Sequence, residues 1–278
     1  MKRQRSASGV SIGLRKSMVS VQKKQEVLNK SNSSEFTVKV ANTLEERETV
    51  FQLGYQVYLK KGFTGENTNE WLIRSYDACE ETVILIVQDK NKNLAGSVTL
   101  VFDGSCNLPA EKLYHSEIRS LKNNGEKLVE ISRLVISPEY RNSNEILFLL
   151  FNYLAIYCHH IKKYTYLTVQ VNPRHKNYYK ALLKFDEMGI EKVSPYLKYA
   201  PAVLLTLPIS RYQAEVKKYA SNKNDNIKER SLYSYSIKPS QELLVAEYLE
   251  KQVKPISFAE KMYFGLQNLE LVELTVFK

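Results

Sequence analysis

The chain has 278 residues, 44% apolar and 25% charged, enough for one sizeable core with a small appendage. Its formal charge is +10, but Met1–Lys30 carries eight Lys or Arg residues against the single acid Glu26, so the remaining body is only mildly basic and no specific nucleic-acid surface is expected. No segment approaches the roughly 18 to 20 consecutive apolar residues of a membrane span, and the first residues lack an apolar run of signal-peptide length, so a soluble, cytoplasmic protein is expected.

Residues 1–34 read as a disordered basic tail. Phe36–Val40 alternates like a short strand, and Asn42 or Thr43 can cap a helix over Glu45–Lys60. The run GFTGENTNE breaks the periodicity with two glycines and predicts a loop bordering a cleft. TVILIVQD and LAGSVTLVF are apolar enough for buried strands, and the polar DKNKN between them makes a hairpin. Asp103–Lys127 reads as an irregular excursion rich in turn residues and charge.

The segment EISRLVI, from Glu130, predicts a strand that Ser137 and Pro138 terminate, because proline holds its predecessor extended and cannot donate a ladder hydrogen bond. Glu145–His160 then predicts a helix packed on the sheet, YTYLTVQV a further strand stopped by Asn172-Pro173, Tyr178–Glu187 a helix ended by Gly189, and Ala202–Pro208 a final strand. Composition shifts at ASNKNDNIKER, beyond Tyr219, and Glu242–Gln252 and Ser257–Leu269 are helix candidates. The expected organisation is a tail, 1–34, a catalytic α/β domain, 35–219, and a helical extension, 220–278. Cys79, Cys106 and Cys158 are odd in number and widely spaced, which predicts reduced thiols. Four histidines without an HxxxH or HExxH pattern predict no catalytic metal.

A strand that delivers charged groups to the mouth of a strand–turn–helix junction is a place to deprotonate and acylate an amine. The order of strand, Ser-Pro turn, helix, strand, Asn-Pro-Arg-His, Tyr-Tyr helix, Gly and last strand resembles the Gcn5-related N-acyltransferase fold, a central mixed β-sheet flanked by helices. More narrowly, EISRLVI resembles the E-x-SR segment of acyl-homoserine-lactone synthases and of the related FeeM-type N-acyl amino acid synthases. The latter match extends to Val57–Phe63, Tyr76-Asp77 and VNPRHKNYY, so the resemblance spans roughly Phe36–Tyr212.

The resemblance implies transfer of a fatty acyl group from acyl carrier protein, or from coenzyme A, to the α-amine of an amino acid, with no tightly bound cofactor. It makes Glu130 the base, acting directly or through water. Arg133 lies three positions on, so in a regular strand it faces the opposite way, and a β-bulge is needed to bring both to one cleft. Arg133 could orient Glu130, bind a substrate carboxylate or hold carrier phosphate. Asp77 is expected beside the acceptor pocket, and Tyr179 or Tyr178 near the departing sulfur. Backbone groups at Leu134 and Val135 could hold the thioester oxygen. Arg141, Asn172 and Arg174 complete the donor side, and Lys162, Lys163, Lys176 and Lys180 could join Arg174 in a basic rim for an acidic carrier. Two departures stand out. Gly54 occupies the place where homoserine-lactone synthases carry an arginine, and Asn144 and Ile146 replace the two small residues of the usual Q/R-x-x-G-x-G/A loop, which favours a carrier protein over coenzyme A. The alternatives are a homoserine-lactone synthase using S-adenosylmethionine and a noncatalytic carrier-binding or regulatory module.

Overall fold

The computed structural model describes residues 35–104, 106–141, 144–194, 197–221 and 231–268. The basic tail at 1–34 and the linker at 222–230 lie outside the described residues. Eight strands form the sheet: β1 (Thr37–Val40), β2 (Val83–Gln88), β3 (Leu94–Phe102), β4 (Leu128–Ile136), β5 (Tyr166–Val171), β6 (Asp186–Glu187), β7 (Lys192–Ser194) and β8 (Ala200–Pro208). Their order is β1-β2-β3-β4-β5-β8-β6, with β7 also on β8, and β4/β5 is the parallel pair in an otherwise antiparallel sheet.

Both faces of the sheet are covered, which is why β2 and β3 read as continuous apolar runs rather than alternating ones. Val83, Leu85 and Val87 of β2 join the core under helix α3 (Asn144–Ile156), while Ile84 and Ile86 pack on helix α1 (Leu44–Lys60). Thr43 starts α1 as expected, its hydroxyl accepting from the Glu46 amide at 3.3 Å. Helix α3 runs on into a π-helical turn, Tyr157–Ile161, and forms the crossover that parallel strands require.

Four expectations are corrected. The excursion at Asp103–Lys127 contains helix α2 (His115–Asn123), which buries Ile118 and Leu121, preceded by a 3-10 turn at Pro109–Lys112. Helix α4 spans Pro173–Leu183, starting earlier than Tyr178 because Asn172 caps it and Pro173 suits its first position, and it stops where Lys184 turns left-handed at φ 61°. Gly189 ends no helix; an added Cβ there would lie 2.5 Å from the Tyr114 ring, so glycine serves close backbone passage. Cys79 and Cys106 are paired in a disulfide, because the fold lays the loop after β3 beside the turn at Ser75–Ala78, and Cys158 alone stays a free, buried thiol.

The C-terminal helices are part of the fold. Helix α5 (Ile209–Ser221) follows β8, and α6 (Pro239–Glu250) places Val245, Ala246, Tyr248 and Leu249 in the same core as α3. The chain then rounds the β1 edge, where Gln252 accepts from the Val40 amide at 3.1 Å and covers an otherwise open strand edge. On the other face lie α7 (Phe258–Tyr263) and Phe264, packed edge-on against Phe51 of α1 at 4.9 Å.

Candidate active site

Strands β4 and β5 pair only from Leu128↔Tyr166 to Glu130↔Thr168, and beyond that point they run apart. Two parallel strands that separate leave a wedge, and here it opens into a cleft of about 1100 Å³. Its walls come from α1, the Leu72–Tyr76 segment, β4, β5, α4 and the start of β8.

Glu130 sits at the fork. It lines the cleft yet is only 2% exposed. Its Oε2 accepts from the Ala110 amide at 2.6 Å and its Oε1 from the Gln170 side-chain amide at 3.1 Å. Burial pushes its carboxyl up to about 7, against the pull of those two hydrogen bonds, and the Glu111 charge adds to the rise. A carboxyl tuned to neutrality is ionised in a useful fraction while retaining basicity, which suits proton removal from an ammonium.

The backbone donor on Glu130 belongs to the 3-10 turn. Glu111 of that turn accepts from the Leu108 amide at 3.0 Å, and Lys122 of α2 bonds Glu111 at 2.7 Å and Asp103 at 2.7 Å. Those contacts pin the turn against β4. Sequence reading missed Ala110, since a backbone N–H carries no residue signature, and it missed Gln170; for Gln170 the signal was available in its two-residue offset from Thr168, the partner of Glu130.

Arg133 adopts φ +44°, and the β3/β4 register slips between Ser97 and Thr99, so the required bulge is present. Ser132 and Arg133, though adjacent, both reach Tyr76: the Ser132 hydroxyl donates to the Tyr76 hydroxyl at 3.0 Å, and the guanidinium lies 5.7 Å from the ring centre. Arg133 is fully committed to the protein. Its two terminal nitrogens donate to Asp77 at 2.6 and 2.8 Å, to the Leu72 carbonyl at 2.8 Å and to the Thr99 hydroxyl at 2.8 Å. Only Nε lacks a partner, and that atom is sealed from solvent. Burial pulls the guanidinium pKa down, but the charges around it, Asp77 foremost, outweigh burial and raise it above its already high ordinary value.

Asp77 is buried behind the cleft, not among its lining residues, and both its oxygens are occupied by Arg133, with the Arg74 amide also donating at 2.8 Å. Leu134, Val135, Arg141, Asn172, Arg174, Tyr178 and Tyr179 all line the cleft. Asn172 accepts from the Arg174 amide at 3.2 Å and thereby opens α4 toward the mouth. The Tyr179 ring packs edge-on to Phe185 at 5.6 Å, and burial raises its phenol pKa, so it holds its proton.

The basic rim is composed differently from the expected one. Lys162 stacks on Phe102, on an aromatic ring outside the cleft, and Lys176 and Lys180 bond to Glu187. Among the cations that line the cleft beside Arg174 are Lys61 at the end of α1 and Arg141 after β4. Arg174 and Arg141 depress the Lys61 pKa, with burial the larger cause, which marks the three as one cluster of like charge. Ile146 turns into the core, where an added Gly96 Cβ would meet it at 2.8 Å, so its bulk does not fill the loop as expected.

Gly54 of α1 faces the bulge. A Cβ there would lie 3.2 Å from Arg133 Cδ and 3.3 Å from Leu72 Cδ2, so any side chain at this position must push on Arg133 and Leu72.

Residues 49–208 match the family model for FeeM, an N-acyl amino acid synthase. Among solved structures, FeeM from uncultured soil microbes is 20% identical with a TM-score of 0.57, covering 64% of this chain and 93% of that one. BjaI, a CoA-dependent acyl-homoserine lactone synthase solved with SAM and isopentyl-CoA, is 12% identical with a TM-score of 0.50, covering 65% of this chain and 87% of that one. No curated protein matches the sequence.

Proposed function

We propose, from the premise that this chain belongs to the FeeM family of N-acyl amino acid synthases, that it transfers a fatty acyl group from a phosphopantetheine thioester on acyl carrier protein to the α-amine of an amino acid. The observation that carries this reading is Glu130: a buried carboxyl with a pKa of about 7 at the fork of two separating strands, lining a cleft of about 1100 Å³.

The thioester enters the wedge between β4 and β5, where the β5-side edge of β4 beyond Glu130 has no partner strand, and the backbone around Leu134 and Val135 lines the cleft beside its carbonyl oxygen. Glu130 takes a proton from the acceptor ammonium, directly or through water. The freed nitrogen attacks the carbonyl carbon, and negative charge gathers on the oxygen. Collapse of the tetrahedral adduct breaks the C–S bond and forms the amide as the nitrogen gives up its second proton, which passes to the departing sulfur so that the carrier leaves as the free thiol. A phenol with a raised pKa is a weak acid but a sound hydrogen-bond donor, so Tyr179 steadies the leaving sulfur. Tyr178 lies on the same wall.

Arg133 is a positioning residue in this scheme. It fixes the bulge that turns β4 toward the cleft, and Asp77 holds it there. Lys61, Arg141 and Arg174 draw in the donor's phosphate and the acidic surface of its carrier. No helix among the described residues is long and apolar enough to cross a membrane, and an acyl carrier protein donor would be met in the cytoplasm.

The test is to incubate the purified chain with acyl carrier protein loaded with mixed fatty acids, with the same acids on coenzyme A, and with the twenty amino acids, and to read product masses. Acylated amino acid from the carrier thioester supports the reading. Product from coenzyme A alone overturns the donor, and a lactone product overturns the acceptor.

A further inference from the structure

Resting on that reading of function, one question stays open inside the cleft: which cation receives the acceptor's carboxylate. Arg133 does not, because four hydrogen bonds tie its terminal nitrogens to Asp77, Leu72 and Thr99. Position 54 does not, because it is a glycine and carries no charge. Lys61, Arg141 and Arg174 stand together at the mouth, where the donor arrives.

Arg74 is different. It lines the cleft, is half-buried, and has no carboxylate partner among the described residues; its one side-chain bond is from Nη1 to its neighbour's carbonyl, Ile73, at 3.2 Å. Its backbone is pinned, since its amide donates to Asp77 Oδ2 at 2.8 Å, so the side chain projects from a fixed point. Tyr58 of α1 stands beside it on the same wall, and Arg74 is the charge that most affects the Tyr58 phenol. The segment bearing Arg74 touches β4 through the bond between Ser132 and Tyr76, two residues along the strand from Glu130.

We propose that Arg74, with the Tyr58 hydroxyl, binds the α-carboxylate of the acceptor and so restricts the enzyme to free amino acids. An α-amino acid presents two opposite charges a few ångströms apart. Glu130 answers the ammonium, and Arg74, on the adjoining wall of the cleft, has no carboxylate partner among the described residues. Its planar guanidinium can take both carboxylate oxygens at once, which fixes how the amine points.

The experiment compares L-phenylalanine, L-leucine and L-alanine with their primary amides, which keep the α-amine and lose the negative charge, in the wild-type chain, Arg74→Gln and Arg74→Lys. The wild type is expected to prefer acids over amides by on the order of 30-fold in kcat/KM, the worth of a charge-assisted pair. Arg74→Gln should lose that preference through KM for the acids, with kcat and the rates on the amides within about threefold of wild type, and Arg74→Lys should recover part of it. An unchanged acid-to-amide ratio in Arg74→Gln, or an equal loss on acids and amides, overturns the proposal.

A readout free of turnover separates the two claims. Isothermal titration calorimetry reads binding of the acceptor without turnover. Saturable titration by the acids, weakened in Arg74→Gln, supports the carboxylate site even if no thioester is consumed, in which case the functional reading alone fails. Equal titration curves in wild type and Arg74→Gln overturn the site even if the enzyme turns over.

Discussion

The guanidinium of Arg133 closes on the carboxylate of Asp77 through two hydrogen bonds of 2.6 and 2.8 Å, with both side chains at most 4% exposed. Phe51 lies under the same guanidinium at 4.9 Å, and Phe264 from the far end of the chain packs on Phe51. A charge placed so deep depends on its partner, since taking one away leaves the other buried and unpaired. Asp77→Ala is therefore expected to destabilise the fold by about 3–5 kcal/mol, measured by urea unfolding. A loss below about 1 kcal/mol, the range of exposed pairs, would contradict this placement.

Glu130 contributes to stability with the opposite sign from a paired acid. Its folded pKa of about 7 lies above an ordinary 4.5, so the fold prefers the neutral carboxyl. Its contribution is whole below pH 4.5 and is lost as pH rises through 7. Glu130→Gln should thus be more stable than wild type at pH 8.5, by an amount of order 3 kcal/mol at most, and equal to it at pH 4. Urea unfolding at both pH values checks this, and equal curves at pH 8.5 would count against a raised pKa.

The cation cluster at the mouth predicts a salt-sensitive donor step. Arg141→Ala and Arg174→Ala should each raise the KM for acyl carrier thioester by about tenfold at low salt, with little change in the KM for the amino acid. The difference from wild type should shrink at 0.5 M salt. A salt-independent loss would point to a packing role instead.

Much of the site was legible because local order constrains it. The strand, Ser-Pro turn and helix from Glu130 onward follow from residue types alone, and the need for a bulge followed from placing Glu130 and Arg133 three apart on a strand. The rest depended on contacts between distant segments. The Ala110 amide reaches Glu130 only because Lys122 of α2 ties down the turn, and α2 itself went unread although Tyr114, Ile118 and Leu121 carry helical spacing. Asp77 was expected to face the acceptor, but the strength of its pairing with Arg133 cannot be read from two positions 56 residues apart. The pairing of Cys79 with Cys106 escaped for the same reason.

Beyond the compositional boundary at Tyr219, Leu232, Tyr233, Val245 and Leu249 complete the core under α3. A chain truncated after residue 219 is expected to aggregate or to lack a cooperative thermal transition, since it exposes that apolar face. Phe264→Ala should cost about 3–5 kcal/mol by thermal or urea unfolding. A truncated chain that melts cooperatively and turns over would show the extension to be dispensable.

The account turns on Glu130 working as a base tuned by burial. The most direct measurement is the pH dependence of kcat/KM for acyl transfer, from pH 5 to 9, in wild type and Glu130→Gln. Wild type should rise along a single limb with an apparent pKa near 7, and Glu130→Gln should be slower by about 10²–10⁴-fold with that limb gone. An intact limb in Glu130→Gln, or a rate within a few fold of wild type, would mean that another group takes the proton.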